Sequence, residues 1–375
     1  MITLFCIRPQ GLNIGNEAIH VAVRELVYRS FGRIVNIVPL PACAHYESHA
    51  RAGLSTQTIY EINRYGDGVI VGGGNLYENG ELTVQADALS ALEPPMMLFS
   101  VSHGRVYNRR LELVNRTDGM PDRTIAALHG SAAVSLARDD ATYKYLTDLG
   151  CTNVLLGGCP TVALNDLSTR LPRLPEAENP GVLISVRTPH LMNIPLQLQS
   201  QVKSDVSDMI DFLKSENAGR IRLLCHDTRD VEFASGFQAT HGVDYVYTSD
   251  VYYYLALLKA AKMSISYRLH ATLPCFSFGT PSISISYDER ALSLFETLRM
   301  DSWNINLVEE HRRGRPLIEA VKERYFGLER LDSLLKDRRQ DWQQLLDVQR
   351  SEMMKFAQSV RDYVDRSRQL VSAPS

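Results

Sequence analysis

The sequence predicts an α/β protein built from two doubly wound domains, followed by a helical tail. Three observations predict it. Short runs that are apolar on both faces alternate with helix-like stretches, and such runs suit strands covered on both sides of a parallel sheet. The alternation breaks once, at a charged stretch rich in proline, and then restarts. Beyond the second series the chain carries an apolar period of helical type and no strand-like run.

The first series begins with "ITLFCI", which leads to "NEAIHVAVRELVYRSF". "DGVIVGGG" leads to a loop and "TVQADALSAL", "PPMMLFSVS" to a polar segment, and "AAVSLARD" to "DATYKYLTDLG", with "TNVLLGG" after it. These place a first domain at residues 1–165. "NDLSTRLPRLPEAENPG" (Asn165 to Gly181) has no apolar period and gives a linker at 166–181. The strands "GVLISVR", "RIRLLCHD", "VDYVYT", "MSISY" and "PSISISYD", with helices between them and one starting near Leu269, form a second domain at 182–327. In the tail, 328–375, residues such as Leu331, Leu335, Trp342, Leu346, Met353, Phe356 and Val360 fall near helical spacing. This predicts an amphipathic helix packed on a domain, with a coiled-coil or membrane-surface role as the alternative.

A chain of 375 residues fits two domains of ~150 residues each. With 45% apolar and 22% charged residues, the composition is that of an ordinary globular protein. A formal net charge of −3 argues against nucleic acid as a partner, which demands a cationic excess. "HRRGR" (His311 to Arg315) is a local basic exception. The cysteines (Cys6, Cys43, Cys151, Cys159, Cys225, Cys275) form no CxxC pair and read as reduced core residues of a cytosolic protein. The N-terminus is interrupted too early by Arg8 and Pro9 to be a signal peptide, and no run reaches the ~18 apolar residues of a membrane span. The expected location is cytoplasmic.

Candidate site residues gather where strands end. In "RPQGLNIGNEAI", Gly11 and Gly15 permit a tight turn, and Asn13 or Asn16 can cap the following helix, whose exposed N–H groups suit an anionic or polar ligand. A structural cap explains the pattern equally well. "VIVGGGNLYENG" lets backbone or ligand approach Gly73 and Gly74, with Asn75 and Glu78 offering polar contacts at the carboxyl end of a strand. His103 in "SVSHGR" ends another strand, and Arg138 in "SLARDDATYKYL" either pairs with a helix-capping aspartate or faces a cleft. "ISVRTPH" and "SISYRLHATLPCFSFGTPSISISYD" put Arg187, Arg268, His270 and Asp288 at carboxyl ends of strands. Two arginines converging on one point repel unless an anion or a carboxylate lies between them; a bound carboxylate or phosphate would satisfy both forks, as would neighbouring acids. His45 and His49 in "HYESH" have metal-pair spacing but no third ligand, so no metal is expected. No GxSxG elbow or cysteine nucleophile motif is present.

Taken in series, "GLNIGNEAI", "GGGNLY", "SLARDDAT", "GCPT" and "SYRLHATLPCFSFGTPSISISYD" resemble the polysaccharide pyruvyl transferases over roughly Met1 to Leu298. The last motif is the most specific. The resemblance implies two Rossmann-like domains in the glycosyltransferase-B (GT-B) arrangement. It also implies transfer of the enolpyruvyl carbons of phosphoenolpyruvate to two hydroxyls of a sugar, giving a ketal and phosphate. By resemblance, Arg187, Arg268 and His270 bind phosphoenolpyruvate, with Arg268 and His270 catalytic and His270 as general acid or anion ligand. Asn13, Asn16, Glu17, Gly73, Gly74, Asn75 and His103 face the acceptor, a sugar of a cell-surface polysaccharide or its lipid-linked precursor. The family's first motif usually reads Gly-Asp-Glu-Ala; here Asn16 replaces the aspartate, which leaves Glu17 as its substitute or the chemistry altered.

Several expectations follow. A histidine tuned near neutral pH suits delivery of a proton to the donor's methylene carbon. No cofactor is expected, because phosphoenolpyruvate is the donor substrate. Replacing Arg268 by Ala is expected to abolish donor binding without unfolding the protein. A lipid-linked acceptor would bring the protein to the inner face of the membrane, and the C-terminal helices offer a route to a homo-oligomer. Two other readings remain: a glycosyltransferase using a nucleotide sugar, since fold does not fix function, and a non-catalytic glycan- or partner-binding relative.

Overall fold

The computed structural model describes residues 1–9, 11, 13–44 and 51–372; the histidine pair in "HYESH" lies outside them. In chain order the strands are β1 (Ile2–Arg8), β2 (Val35–Pro41), β3 (Gly68–Gly74), β4 (Met96–Val101), β5 (Val106–Tyr107), β6 (Leu113–Val114), β7 (Val134–Ala137), β8 (Val154–Leu156), β9 (Val182–Ser185), β10 (Ile221–Leu224), β11 (Asp244–Val246), β12 (Met263–Ser266), β13 (Ser282–Ser286) and β14 (Asn304–Asn306). The helices are α1 (Ile14–Phe31), α2 (Thr56–Tyr65), α3 (Asp122–Gly130), α4 (Asp140–Asp148), α5 (Leu196–Gln199), α6 (Val202–Ser215), α7 (Val231–His241), α8 (Val251–Ala260), α9 (Leu269–Phe278), α10 (Glu289–Thr297), α11 (Leu307–Arg312), α12 (Leu317–Tyr325) and α13 (Leu328–Ser372).

Two six-stranded parallel sheets result, ordered β2-β1-β3-β4-β7-β8 and β11-β10-β9-β12-β13-β14. The central strands β3, β4, β9, β12 and β13 are buried along their whole length, as continuous apolar runs predict. The first sheet has the flavodoxin-like order and the second the Rossmann order. In each, the order reverses once, between β1 and β3 and between β9 and β12. Loops leaving the carboxyl ends of those strand pairs diverge to opposite faces and leave a crevice, the usual ligand position in open α/β sheets.

Four strands, β2, β5, β6 and β14, are not anticipated by the sequence reading. β2 carries Pro39 and Pro41 and only partly buried side chains, which an edge strand tolerates. The hairpin β5–β6 and the short edge strand β14 are too brief to give a pattern. All six cysteines are buried, and none forms a disulfide among the described residues. The basic "HRRGR" segment is neutralised locally: Arg312 meets Glu309, Arg313 meets Glu310, and Arg315 meets both Glu310 and Glu323.

The tail packs on both domains. The Trp342 indole N–H donates to the Leu298 carbonyl (3.0 Å), and its ring stacks on Phe276 of α9. Farther along, Gln349 Nε2 donates to the Gly157 carbonyl (2.6 Å). Met353, Phe356 and Val360 then enter the core beneath the first sheet with Leu4, Ile70, Met97 and Phe99. No helix among the described residues is long and apolar enough to cross a membrane.

Direct bonds close the domains on each other. Ile14 N–H donates to the His226 carbonyl (2.9 Å), and Ala141 N–H to Ser293 Oγ (2.8 Å). Asn165 N–H donates to Ser277 Oγ (2.8 Å), and Arg105 pairs with Glu289.

Candidate functional site

The carboxyl ends of both sheets open onto one interdomain cleft of about 590 Å³. From the second domain, Arg187 follows β9, Arg268 and His270 follow β12, and Asp288 follows β13. Asn13 and Asn16 at the start of α1, Gly74 at the end of β3 with Asn75 beyond it, and Arg138 after β7 line it from the first domain.

Arg268 stands at the N-cap of α9, with its backbone N–H on Ser266 Oγ (2.9 Å). The residue is 5% exposed, and its Nη2 donates to Asp230 Oδ2 at 2.5 Å. Asp230 also accepts the Thr188 N–H (2.9 Å). Arg268 is therefore already half of a buried ion pair. Arg187 differs. Its Nε donates to the Leu191 carbonyl (2.6 Å), and no carboxylate pairs with it among the described residues. Burial and the adjacent Arg268 both disfavour its charge, so an incoming anion relieves it.

His270 is the second residue of α9. Its Nε2 is buried without a partner among the described residues. Burial first, then Arg138, Arg268 and Arg290, push its pKa down to about 3. The near-neutral titration expected from the sequence is therefore corrected: burial, and after it the neighbouring guanidinium groups, keep this imidazole uncharged. α1 presses on it from the first domain. A Cβ added to Gly15 would lie 2.9 Å from His270 Cβ, so glycine is what lets the two domains meet there.

Arg138 is 3% exposed, and its Nε sits 3.7 Å from Asp139 Oδ2. Asp139 caps α4, accepting the Thr142 N–H (3.0 Å), and burial pushes its carboxyl up to about 6. Both sequence alternatives for Arg138 thus hold in part: it neighbours the cap and it lines the cleft. Asn13 caps α1 by accepting the Gly15 N–H (3.0 Å). Asn75 Oδ1 is buried with no partner among the described residues.

Three expected acceptor residues lie elsewhere. Glu17 is held by Arg8 at 2.5 Å, on the flank of α1 away from the cleft lining. His103 stacks its ring flat on Tyr145 of α4, with centroids 3.8 Å apart, and does not line the cleft. Gly73 shapes the backbone rather than the cavity wall: its φ is +86°, and a Cβ there would meet Ile19 Cγ2 at 2.6 Å. Glu78 is buried in an ion pair with Arg290 of the second domain (2.8 Å), with Arg116 3.5 Å away.

Sequence reasoning missed Arg290, Asp230 and His226. Arg290 lines the cleft and spans Glu78 and Asp288, which accepts from it at 2.5 Å. A signal existed: "SYDER" and "CHDTRD" are both strand ends rich in charge. Arg268 and Arg290 are matched by Asp230, Asp288 and Glu78, and Arg138 has Asp139 at 3.7 Å, so among these arginines Arg187 is the one left without a carboxylate partner among the described residues. Such a cleft suits a small ligand with more than one anionic group. No group of three or more His, Cys, Asp or Glu side chains that could hold a metal occurs among the described residues.

Two parallel-sheet domains that meet at their carboxyl ends, joined by a crossing C-terminal helix, define a GT-B-like protein with a cationic cleft. The model of the polysaccharide pyruvyl transferase family matches residues 13–289, and the chain belongs to that family. Among solved structures it is similar to Methanocaldococcus jannaschii UDP-GlcNAc 2-epimerase in complex with UDP-GlcNAc and UDP. The TM-score is 0.55 at 13% identity, over 86% of this chain and 92% of that one. It is also similar to the S. aureus MnaA–UDP co-structure, with TM-score 0.52 at 11% identity over 80% and 82% of the two chains. At such identity the likeness is one of fold. No curated protein matches the chain.

Proposed function

We propose that the protein transfers the pyruvyl group of phosphoenolpyruvate to two hydroxyls of a sugar, in a cell-surface polysaccharide or its lipid-linked precursor, forming a pyruvate ketal. The observation that supports this reading, beside family membership, is that Arg138 of the first domain and Arg187 of the second line one cleft with His270, whose Nε2 is buried without a partner among the described residues. Phosphoenolpyruvate carries a carboxylate and a phosphate. Arg187 and the remaining donors of Arg268 take one, and Arg138 takes the other, so the donor bridges the domains. Asn13, Asn16 and Asn75 offer carboxamides to the hydroxyls of the acceptor.

His270 starts neutral. The negative charge of the donor offsets the surrounding guanidinium groups and raises its pKa, so the imidazole takes up a proton as the complex forms. It passes that proton to the methylene carbon, which becomes the methyl group. Positive character develops at the central carbon, and a sugar hydroxyl adds there. Phosphate departs with the electron pair of its C–O bond, and the second hydroxyl closes the ring. Of the two hydroxyl protons, one recharges His270 and the other leaves with phosphate. A positioned acid of this kind contributes ~10²–10⁴-fold.

The test is release of inorganic phosphate from phosphoenolpyruvate against a panel of synthetic and lipid-linked glycans. Acceptor-dependent release is expected, with UDP, present in two fold neighbours, giving no thermal shift where phosphoenolpyruvate does. Stabilisation by UDP and none by phosphoenolpyruvate would overturn the reading in favour of a nucleotide-sugar enzyme.

A further inference from the structure

We propose that Tyr254 is a positioning residue for His270, its hydroxyl standing in for the backbone N–H that Pro274 lacks. This rests on the role given to His270 above. In an α-helix the carbonyl of residue i accepts the N–H of residue i+4. For His270 that residue is Pro274, inside α9. Proline has no N–H to give, and its ring crowds the carbonyl four residues back. The first turn of α9, which carries the site histidine, is therefore missing a bond that an ordinary helix would use to hold it.

Tyr254 of α8 supplies the replacement. Its hydroxyl donates to the His270 carbonyl at 2.7 Å. The side chain is fully buried, and burial keeps the phenol protonated, so it remains a donor across the working pH range. The same hydroxyl lies 3.4 Å from His226 Nε2, which is 2.8 Å from Ser185 Oγ. His226 in turn holds the Ile14 N–H of the first domain through its carbonyl. The backbone of His270 is thus tied from the second domain by Tyr254, while its Cβ rests against Gly15 of the first.

Losing the hydroxyl leaves the His270 carbonyl without this donor and lets the first turn of α9 move. A displacement of ~1 Å at a proton-transfer group costs ~10²-fold. The geometry also predicts its own cure: Pro274→Ala restores an amide N–H at i+4.

The experiment compares Tyr254→Phe, Pro274→Ala and the double variant by two readouts. One is phosphoenolpyruvate-dependent phosphate release. The other is the His270 ring resonance in histidine-labelled protein, assigned with His270→Gln. Tyr254→Phe is expected to lower kcat about 10- to 100-fold, with KM for phosphoenolpyruvate within about threefold, and to shift the His270 resonance. The double variant is expected to regain most of the kcat and the wild-type resonance. Wild-type kcat and resonance in Tyr254→Phe would overturn the proposal, as would a double variant no better than Tyr254→Phe. If Tyr254→Phe alone fails to fold, the double variant must recover folded protein, and its failure counts against the proposal equally. A wild-type protein that releases no phosphate would sink the functional reading, while the resonance would still decide the role of Tyr254.

Discussion

Arg268 and Arg187 look interchangeable in the sequence and differ in the folded chain. Removing the Arg268 side chain strands Asp230 as a buried charge, which costs about 3–5 kcal/mol. The sequence expectation that Arg268→Ala leaves folding intact is therefore corrected: its melting temperature is expected to drop sharply, as scanning calorimetry would record. Arg187 pairs with no acid among the described residues. Arg187→Ala is expected to keep its melting temperature while KM for phosphoenolpyruvate rises about 10- to 100-fold, the loss of a charged hydrogen bond worth about 1.5–3 kcal/mol. A melting temperature that falls as far as in Arg268→Ala would show Arg187 to be structural. The type and position of both arginines were legible in their strand-end motifs. The pairing was not, because Asp230 lies 38 residues before Arg268 and reaches it only through the second sheet.

Helices α1 and α13 each depend on a glycine at a close contact, Gly15 within α1 itself and Gly68 of β3 opposite α13. Alanine normally improves a helix over glycine by about 1 kcal/mol. At Gly15, however, the added Cβ meets His270 across the domain boundary. Gly15→Ala is expected to fold normally and lose phosphate release about tenfold or more, within the range misplacement produces. Unimpaired turnover would mean that His270 needs no such seat. On β3, a Cβ at Gly68 would meet Val360 Cγ2 of α13 at 2.7 Å. The sequence marks Gly68 as part of an apolar strand and Val360 as part of an apolar period. Their contact joins opposite ends of the chain, which no local pattern encodes. For the same reason β2 escaped notice, since edge strands lack the apolar run that betrays central ones.

Because α13 enters both cores, the two domains are expected to unfold together. Trp342→Ala, on the second-domain side, and Phe356→Ala, beneath the first sheet, should each lower one shared calorimetric transition, by about 3–5 kcal/mol. Two separating peaks would contradict a strap. Acid should act on the protein as a unit as well. His129 and His226 are buried, and burial lowers both pKa values, the former to about 4. The unfolded chain binds these protons near pH 6.5 and the native one does not. Their stabilisation is therefore complete above about pH 6.5 and is lost on acidification, by about 1.4 kcal/mol per pH unit for each histidine. Asp139, raised to about 6, works in the opposite sense below that pH and offsets part of the loss. Melting temperature is expected to fall between pH 7 and pH 5, and His129→Gln to flatten that slope; a flat wild-type profile would contradict it.

The alternation of apolar runs and helical stretches was enough to establish two α/β units and a helical tail, because burial on both faces of a strand leaves a local imprint. The strand-end positions of Arg187, Arg268 and His270 were legible for the same reason. Tertiary structure alone decided which cleft arginines are paired with acids, that burial and neighbouring guanidinium groups hold His270 neutral, that Glu17 is engaged by Arg8 and His103 by Tyr145, and that the tail joins both cores. Each of these depends on fields and contacts between residues far apart in the chain, where electrostatic and packing energies act through space and leave no periodic trace in the sequence.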